Sequence, residues 1–206
     1  MHYEILDEQR RNILPLFRSF KNDFYLAGGT ALALQIGHRD SIDFDFFSET
    51  PINTQKLFEK VREVFKEHAI VKTQEEANTL SVVIDEYIKI SFFSYSYLLL
   101  DETINEENFR LASVKDIACM KLSAITGRAS NKDYIDLYYI LQTIPLSHLL
   151  ILAQQKFDSL DQNLLLKSII YFEDITVDPI LFKEGKEVSF EKVKDFLEKE
   201  VNKITG

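Results

Sequence analysis

Two carboxylates stand two residues apart in the stretch SIDFDFF, residues 41–47. The stretch alternates: Ile42, Phe44 and Phe46 fall on one side of a strand, Asp43 and Asp45 on the other. Their Cα atoms would be roughly 6–7 Å apart with both side chains pointing the same way. Carboxylates that close repel each other unless a cation lies between them. A hard divalent ion, Mg²⁺ or Mn²⁺, takes one or two carboxylates together with substrate phosphates, the arrangement used in phosphoryl and nucleotidyl transfer.

Upstream lies AGGTALALQIG, residues 27–37. Gly28 and Gly29 end a short apolar run, FYLA, and let backbone N–H groups come close to an anion. Thr30 is expected to cap a helix over ALALQI that Gly37 closes. A helix starting there aims its N-terminus at the same anion. Taken singly, GG is a common turn and D-x-D is a common exposed strand face. Strand, GGT, short helix and DFD in that order bring a phosphate loop and a carboxylate pair onto neighbouring strands.

The positions around these motifs form elements able to hold them. An apolar stripe over residues 4–20 predicts a helix, broken or kinked at Pro15. Asn53 opens a helix to about His68, buried through Leu57, Phe58, Val61, Val64 and Phe65. Residues 69–73 read as a strand, and TLSVVI and YIKISFF flank Asp85-Glu86 as a hairpin. The acidic DETINEENF, from residue 101, reads as a linker. After it the chain is almost all helix, at about 114–127, 131–142, 147–157, 161–172 and 189–203. Ser113 with Asp116, and Ser130 with Asp133, have capping-box spacing. The expected fold is therefore α/β (α+β): a mixed sheet with flanking helices over 1–105, then a helical bundle over 106–206 whose later helices, 146–206, have no assigned role.

Within the helical half, Lys121 sits among Ala118, Leu122 and Ile125. It either snorkels to water or faces an anion. Arg128 follows two turns later on roughly the same face, and Lys132 has the i,i+4 spacing to pair with Asp136. His38 and Arg39 precede the carboxylate strand, placed either to reach substrate or to form an exposed turn.

Composition narrows the partners. The 206 residues carry 24 Lys and Arg against 33 Asp and Glu, a net −9, which excludes a protein that coats nucleic acid through its whole surface. Residues 115–132 are a local exception, with Lys115, Lys121, Arg128 and Lys132 against Asp116 alone. The single cysteine, Cys119, fits a reducing compartment, and the polar start is unlike a signal peptide. No run of 18 apolar residues is present, so the expectation is a cytoplasmic protein without membrane contact. Walker, HRD and DFG kinase signatures are absent.

AGGTALALQIGHRDSIDFDFF resembles the signature of the DNA polymerase β-like nucleotidyltransferases, and in its fuller form the AbiEii/AbiGii toxin family within them. KLSAITGRASNKDYIDLYYIL resembles the same family's later segment, a lysine on one helix and K-D-x-x-D on the next. The resemblance spans residues 24–141. It implies a nucleotidyl-like fold and transfer of NMP from an NTP to an acceptor. It further implies Asp43 and Asp45 as metal ligands, Gly28, Gly29 and Thr30 as the phosphate loop, Lys121 as a triphosphate contact and Asp136 as the distal catalytic carboxylate, with Asp133 its rival. The implied acceptor is RNA, such as a tRNA 3′ end, and the implied partner an antitoxin protein. Protein AMPylation, or a nucleotide- or partner-binding module without turnover, are the alternatives. One departure stands out. Relatives carry a third carboxylate on a later strand as general base, whereas YIKISFF offers Ser91 or Lys89 there, and Asp85 lies in the turn.

Overall fold

The computed structural model describes residues 1–128 and 130–206. The chain divides into two compact units, Met1–Gly37 with Ser41–Ser113, and His38–Asp40 with Val114–Gly206.

The first unit opens with a 3₁₀ turn at Tyr3–Ile5, helix α1 at Glu8–Ile13 and a 3₁₀ helix at Leu14–Phe20. Pro15 stands at the start of the last, where its missing N–H is harmless, and the helix expected over residues 4–20 is divided into these three short pieces. Strand β1 (Tyr25–Ala27) leads into α2 (Gly28–Ile36), closed by Gly37 in the left-handed conformation. Strand β2 is Phe44–Ser48 and α3 is Thr54–Val64, its Asn53 side chain accepting from Lys56 N–H. Strands β3 (Ile70–Glu76), β4 (Thr79–Ile84) and β5 (Ile88–Ser94) follow, with Asp85 and Glu86 both at positive φ in the tight turn between the last two. Short strands β6 (Ile104–Asn105) and β7 (Arg110–Leu111) complete the sheet. The stretch expected to be a linker therefore holds a small hairpin, and pairing of Leu111 with Leu26 carries the first unit past residue 105.

The strand order is β3-β4-β5-β2-β1-β7-β6, parallel at β2/β5 and β1/β7 and antiparallel elsewhere. One face is the core. Phe17 meets Phe44 and Phe46 edge-on at centroid distances of 4.8 and 5.0 Å, and Phe46 stacks on Phe92 at 5.2 Å. The other face carries a polar row, because the register sets Asp45 beside Ser91 and Ser91 beside Ser81.

The second unit packs α4 (Val114–Gly127) against α5 (Asn131–Leu141), α6 (Leu146–Lys156) and α7 (Gln162–Ile169), and α8 (Phe190–Thr205) against α5, α6 and α7. Leu122, Leu137, Leu149, Leu165, Val193 and Leu197 are its buried seam. Asp116 is also fully buried, paired with Lys156 at 2.7 Å. Tyr134 donates its hydroxyl to the carbonyls of Ser168, in the last turn of α7, and of Tyr171 just beyond it. No single helix among the described residues is long and apolar enough to cross a membrane.

Candidate active site

In the first unit the GG loop and the carboxylate pair come together. Helix α2 begins at Gly28 itself, whose φ of +71° is open to glycine at little cost. A Cβ there would stand 3.0 Å from Asp45 Oδ2, so the Asp45 carboxylate faces the start of α2. Asp45 is fixed by the ladder, in register with Ala27 on one side and Ser91 on the other. Asp43 is exposed and lies one residue before β2. The strand is thus shorter at its start than the alternation predicts, and Ile42 is 54 % exposed instead of sharing the buried face with Phe44 and Phe46.

Thr30 differs from expectation. It lies inside α2, is 2 % exposed, and its hydroxyl donates to the Asp43 carbonyl while contacting Ser41 Oγ at 2.7 Å. It holds the segment leading to Asp43 and does not cap the helix. Arg10 assists: its Nε donates to the Ile42 carbonyl at 2.7 Å and its Nη2 to the Tyr87 carbonyl at 2.9 Å. Arg10 carried no sequence signal, because those acceptors lie 32 and 77 residues away.

Of Ser91 and Lys89, the two residues expected where an acid is missing, Ser91 is the one in register with Asp45; it is 1 % exposed and accepts from the Ser81 hydroxyl at 3.1 Å. Asp85 is committed elsewhere, to His68 Nδ1 at 2.7 Å and Ala69 N–H at 3.0 Å, and the His68 contact leads in holding its carboxyl below the ordinary value.

Among the described residues no group of three or more His, Cys, Asp or Glu side chains forms a metal cage. Magnesium needs none, since it is held by one or two carboxylates with water and phosphate oxygens completing its shell. An exposed Asp43 and an Asp45 facing an N-terminal helix turn are a donor set of that kind.

The second unit gathers five of the remaining sequence candidates, His38, Arg39, Lys121, Asp133 and Asp136, into one buried network. Asp136 is 0 % exposed. Its Oδ1 meets His38 Nε2 and Arg39 Nε, both at 2.7 Å, and its Oδ2 accepts from Arg39 Nη2 at 2.9 Å and lies 2.7 Å from Lys121 Nζ. Lys121 also donates to Asp133 Oδ1 at 2.7 Å. Asp133 and Asp136 therefore share the lysine. Burial alone would raise the Asp136 carboxyl, but Lys121, Arg39 and the His38 contact outweigh it and hold it well below the usual range. Burial would likewise lower Lys121, yet Asp136 and Asp133 leave it raised. For His38 burial wins over Asp136 and its pKa is lowered, which leaves a neutral ring whose Nε2–H donates to the carboxylate.

Two candidates lie at the rim of that network or outside it, Arg128 and Lys132. The Arg128 side chain is 72 % exposed, with Nε at an ion-pair distance of 3.4 Å from Asp133 Oδ2. Lys132 pairs with Asp178 at 3.5 Å and not with Asp136, because Asp136 is turned inward and saturated. His38 and Arg39 form no exposed turn, being 0 % and 4 % exposed.

Comparison with known proteins places this architecture. The chain resembles the JHP933 protein of Helicobacter pylori (TM-score 0.60, 16 % identity, 97 % of this chain and 93 % of that one). It also resembles MenT4, a nucleotidyltransferase toxin of Mycobacterium tuberculosis (TM-score 0.64, 16 % identity, 96 % and 82 %). At such identities the likeness concerns the fold, which is that of nucleotidyltransferases. An uncharacterized protein of Aquifex aeolicus, aq_aa25, is 39 % identical over 189 residues, 86 % of this chain and 89 % of its own length. Residues 16–201 match the model of the nucleotidyl transferase AbiEii toxin family of type IV toxin–antitoxin systems. The chain belongs to that family, and is by that membership a nucleotidyltransferase.

Proposed function

We propose that the protein transfers a nucleoside monophosphate from an NTP to a hydroxyl of RNA, such as a tRNA 3′ end, in a divalent-metal-dependent reaction, as a toxin countered by an antitoxin. The observation that carries this reading is the Asp45 carboxylate facing Gly28 at the start of α2, with Asp43 two residues away. Main-chain N–H groups at Gly28 and Gly29 and the helix N-terminus receive phosphate oxygens. Asp43 and Asp45 would hold Mg²⁺ or Mn²⁺, which when bound neutralises the triphosphate and lowers the pKa of the attacking hydroxyl. The hydroxyl oxygen attacks the α-phosphorus, pyrophosphate leaves, and with Ser91 beside Asp45 in place of an acid the hydroxyl proton passes to solvent water. Arg128 is an exposed cation on a chain of net −9, suited to local grip on a polyanion.

The test is incubation of the protein with RNA, Mg²⁺ and each labelled NTP in turn, with and without chelator. Chelator-sensitive label on RNA supports the reading. Label on added protein and none on RNA replaces it with AMPylation, and no label anywhere refutes transfer.

A further inference from the structure

We infer that Asp136 is a positioning residue: it clamps the segment His38–Asp40, and through that segment steadies Asp43, without touching substrate or metal. The second half of this inference rests on the proposed role of Asp43 as a metal ligand.

A carboxylate offers about four acceptor sites. Those of Asp136 are filled two per oxygen, by His38 and Arg39 on Oδ1 and by Arg39 and Lys121 on Oδ2. With the side chain 0 % exposed, no lone pair is left for a phosphate-bound ion or an attacking hydroxyl. The Arg39 contact is a bidentate fork, the geometry that fixes orientation as well as charge. Two positive charges, Arg39 and Lys121, balance two negative ones, Asp133 and Asp136, around a neutral His38.

The same segment is gripped a second time through its main chain. Asp40 N–H donates to the Leu181 carbonyl at 2.8 Å and Lys183 N–H to the His38 carbonyl at 3.2 Å, a one-residue antiparallel bridge of Arg39 with Phe182. Lys183 Nζ adds an ion pair to Asp40 at 2.5 Å. Asn131 seats the run that leads to this bridge, its side-chain amide donating to the Asp178 carbonyl at 2.9 Å and accepting from Asp178 N–H at 3.0 Å. Helix α5 thus holds residues 38–40 by Asp136 and anchors, by Asn131, the strap that holds them from the other side.

Three residues after Asp40 comes Asp43, which stands outside the β2 ladder. Thr30 and Arg10 tether residues 42–43 within the first unit, and the Asp136 clamp acts three residues upstream along the chain, on residues 38–40. Asp45, inside the ladder, needs no such help.

The experiment compares wild type, Arg39→Lys, Asp136→Asn and Asp43→Ala as full chains, well below their melting temperatures. Amide hydrogen exchange at Asp40 and Lys183 and direct Mn²⁺ binding are measured on each. Arg39→Lys keeps the charge and loses the fork, so it carries the test if Asp136→Asn does not fold. We expect faster exchange at both amides and about tenfold weaker Mn²⁺ binding in the two clamp variants, the low end of the loss when outer partners of metal ligands are removed. A role in stability alone would leave Mn²⁺ affinity unchanged in the folded protein. Wild-type exchange and Mn²⁺ affinity in both clamp variants overturn the clamp, and faster exchange with unchanged affinity overturns the link to Asp43. If wild type binds no Mn²⁺ and matches Asp43→Ala, the metal reading of the site fails and the link to Asp43 with it, while exchange alone decides the clamp.

Discussion

The Asp45 oxygen Oδ2 lies 3.0 Å from the point where a side chain at Gly28 would place its Cβ. Gly28 is therefore constrained twice, by its positive φ of +71° and by the carboxylate in front of it. A left-handed conformation costs a non-glycine residue roughly 1–2 kcal/mol. Gly28→Ala should lose about that much stability in denaturant titration. It should lose transfer activity more severely, at least tenfold, because the displaced group is Asp45.

Ser91 stands beside Asp45 in the ladder, but its hydroxyl is buried in a bond with Ser81. Ser91→Ala should keep transfer within about threefold of wild type while costing roughly 0.5–1.5 kcal/mol, the net worth of one hydrogen bond. A thousandfold fall in kcat with unchanged stability would make Ser91 a participant in the chemistry.

Acid should destabilise the protein in two stages. Burial keeps the His38 pKa below its ordinary 6.5, so the unfolded chain binds more protons once the pH falls below that value. Stability then declines as pH is lowered from 7 to 5. The depressed Asp136 carboxyl contributes fully above its ordinary 3.8 and is lost as pH falls from there toward the folded value. Melting temperature against pH should show both, and His38→Gln should flatten the first stage alone.

The Lys156–Asp116 pair, with both side chains 0 % exposed, links α6 to α4. Removing one member of a buried pair leaves an uncompensated charge, so Lys156→Met should cost about 3–5 kcal/mol in the second unit. An unchanged unfolding midpoint would contradict this.

Much of the frame is legible in the sequence because its signals are local. The alternation of FDFF, the Asp85-Glu86 turn and the helix caps at Asn53 and Ser130 depend on neighbours a few residues away. The misreadings come where a distant partner overrides a local rule. Thr30 follows two glycines and reads as a cap, yet its hydroxyl reaches the Asp43 carbonyl. Lys132 has helical spacing to Asp136, yet Asp178 takes it and Asp136 turns to Arg39, 97 residues away. The strap at 176–183 has no periodicity because its bonds run to Asn131 and to residues 38–40.

The most direct measurement is label transfer from NTP to tRNA, with Mg²⁺, by wild type, Asp43→Ala and Asp45→Asn side by side, each checked for a native melting profile. Wild type should label tRNA, and both variants should lose at least a hundredfold. Equal labelling by all three would contradict the role proposed for Asp43 and Asp45.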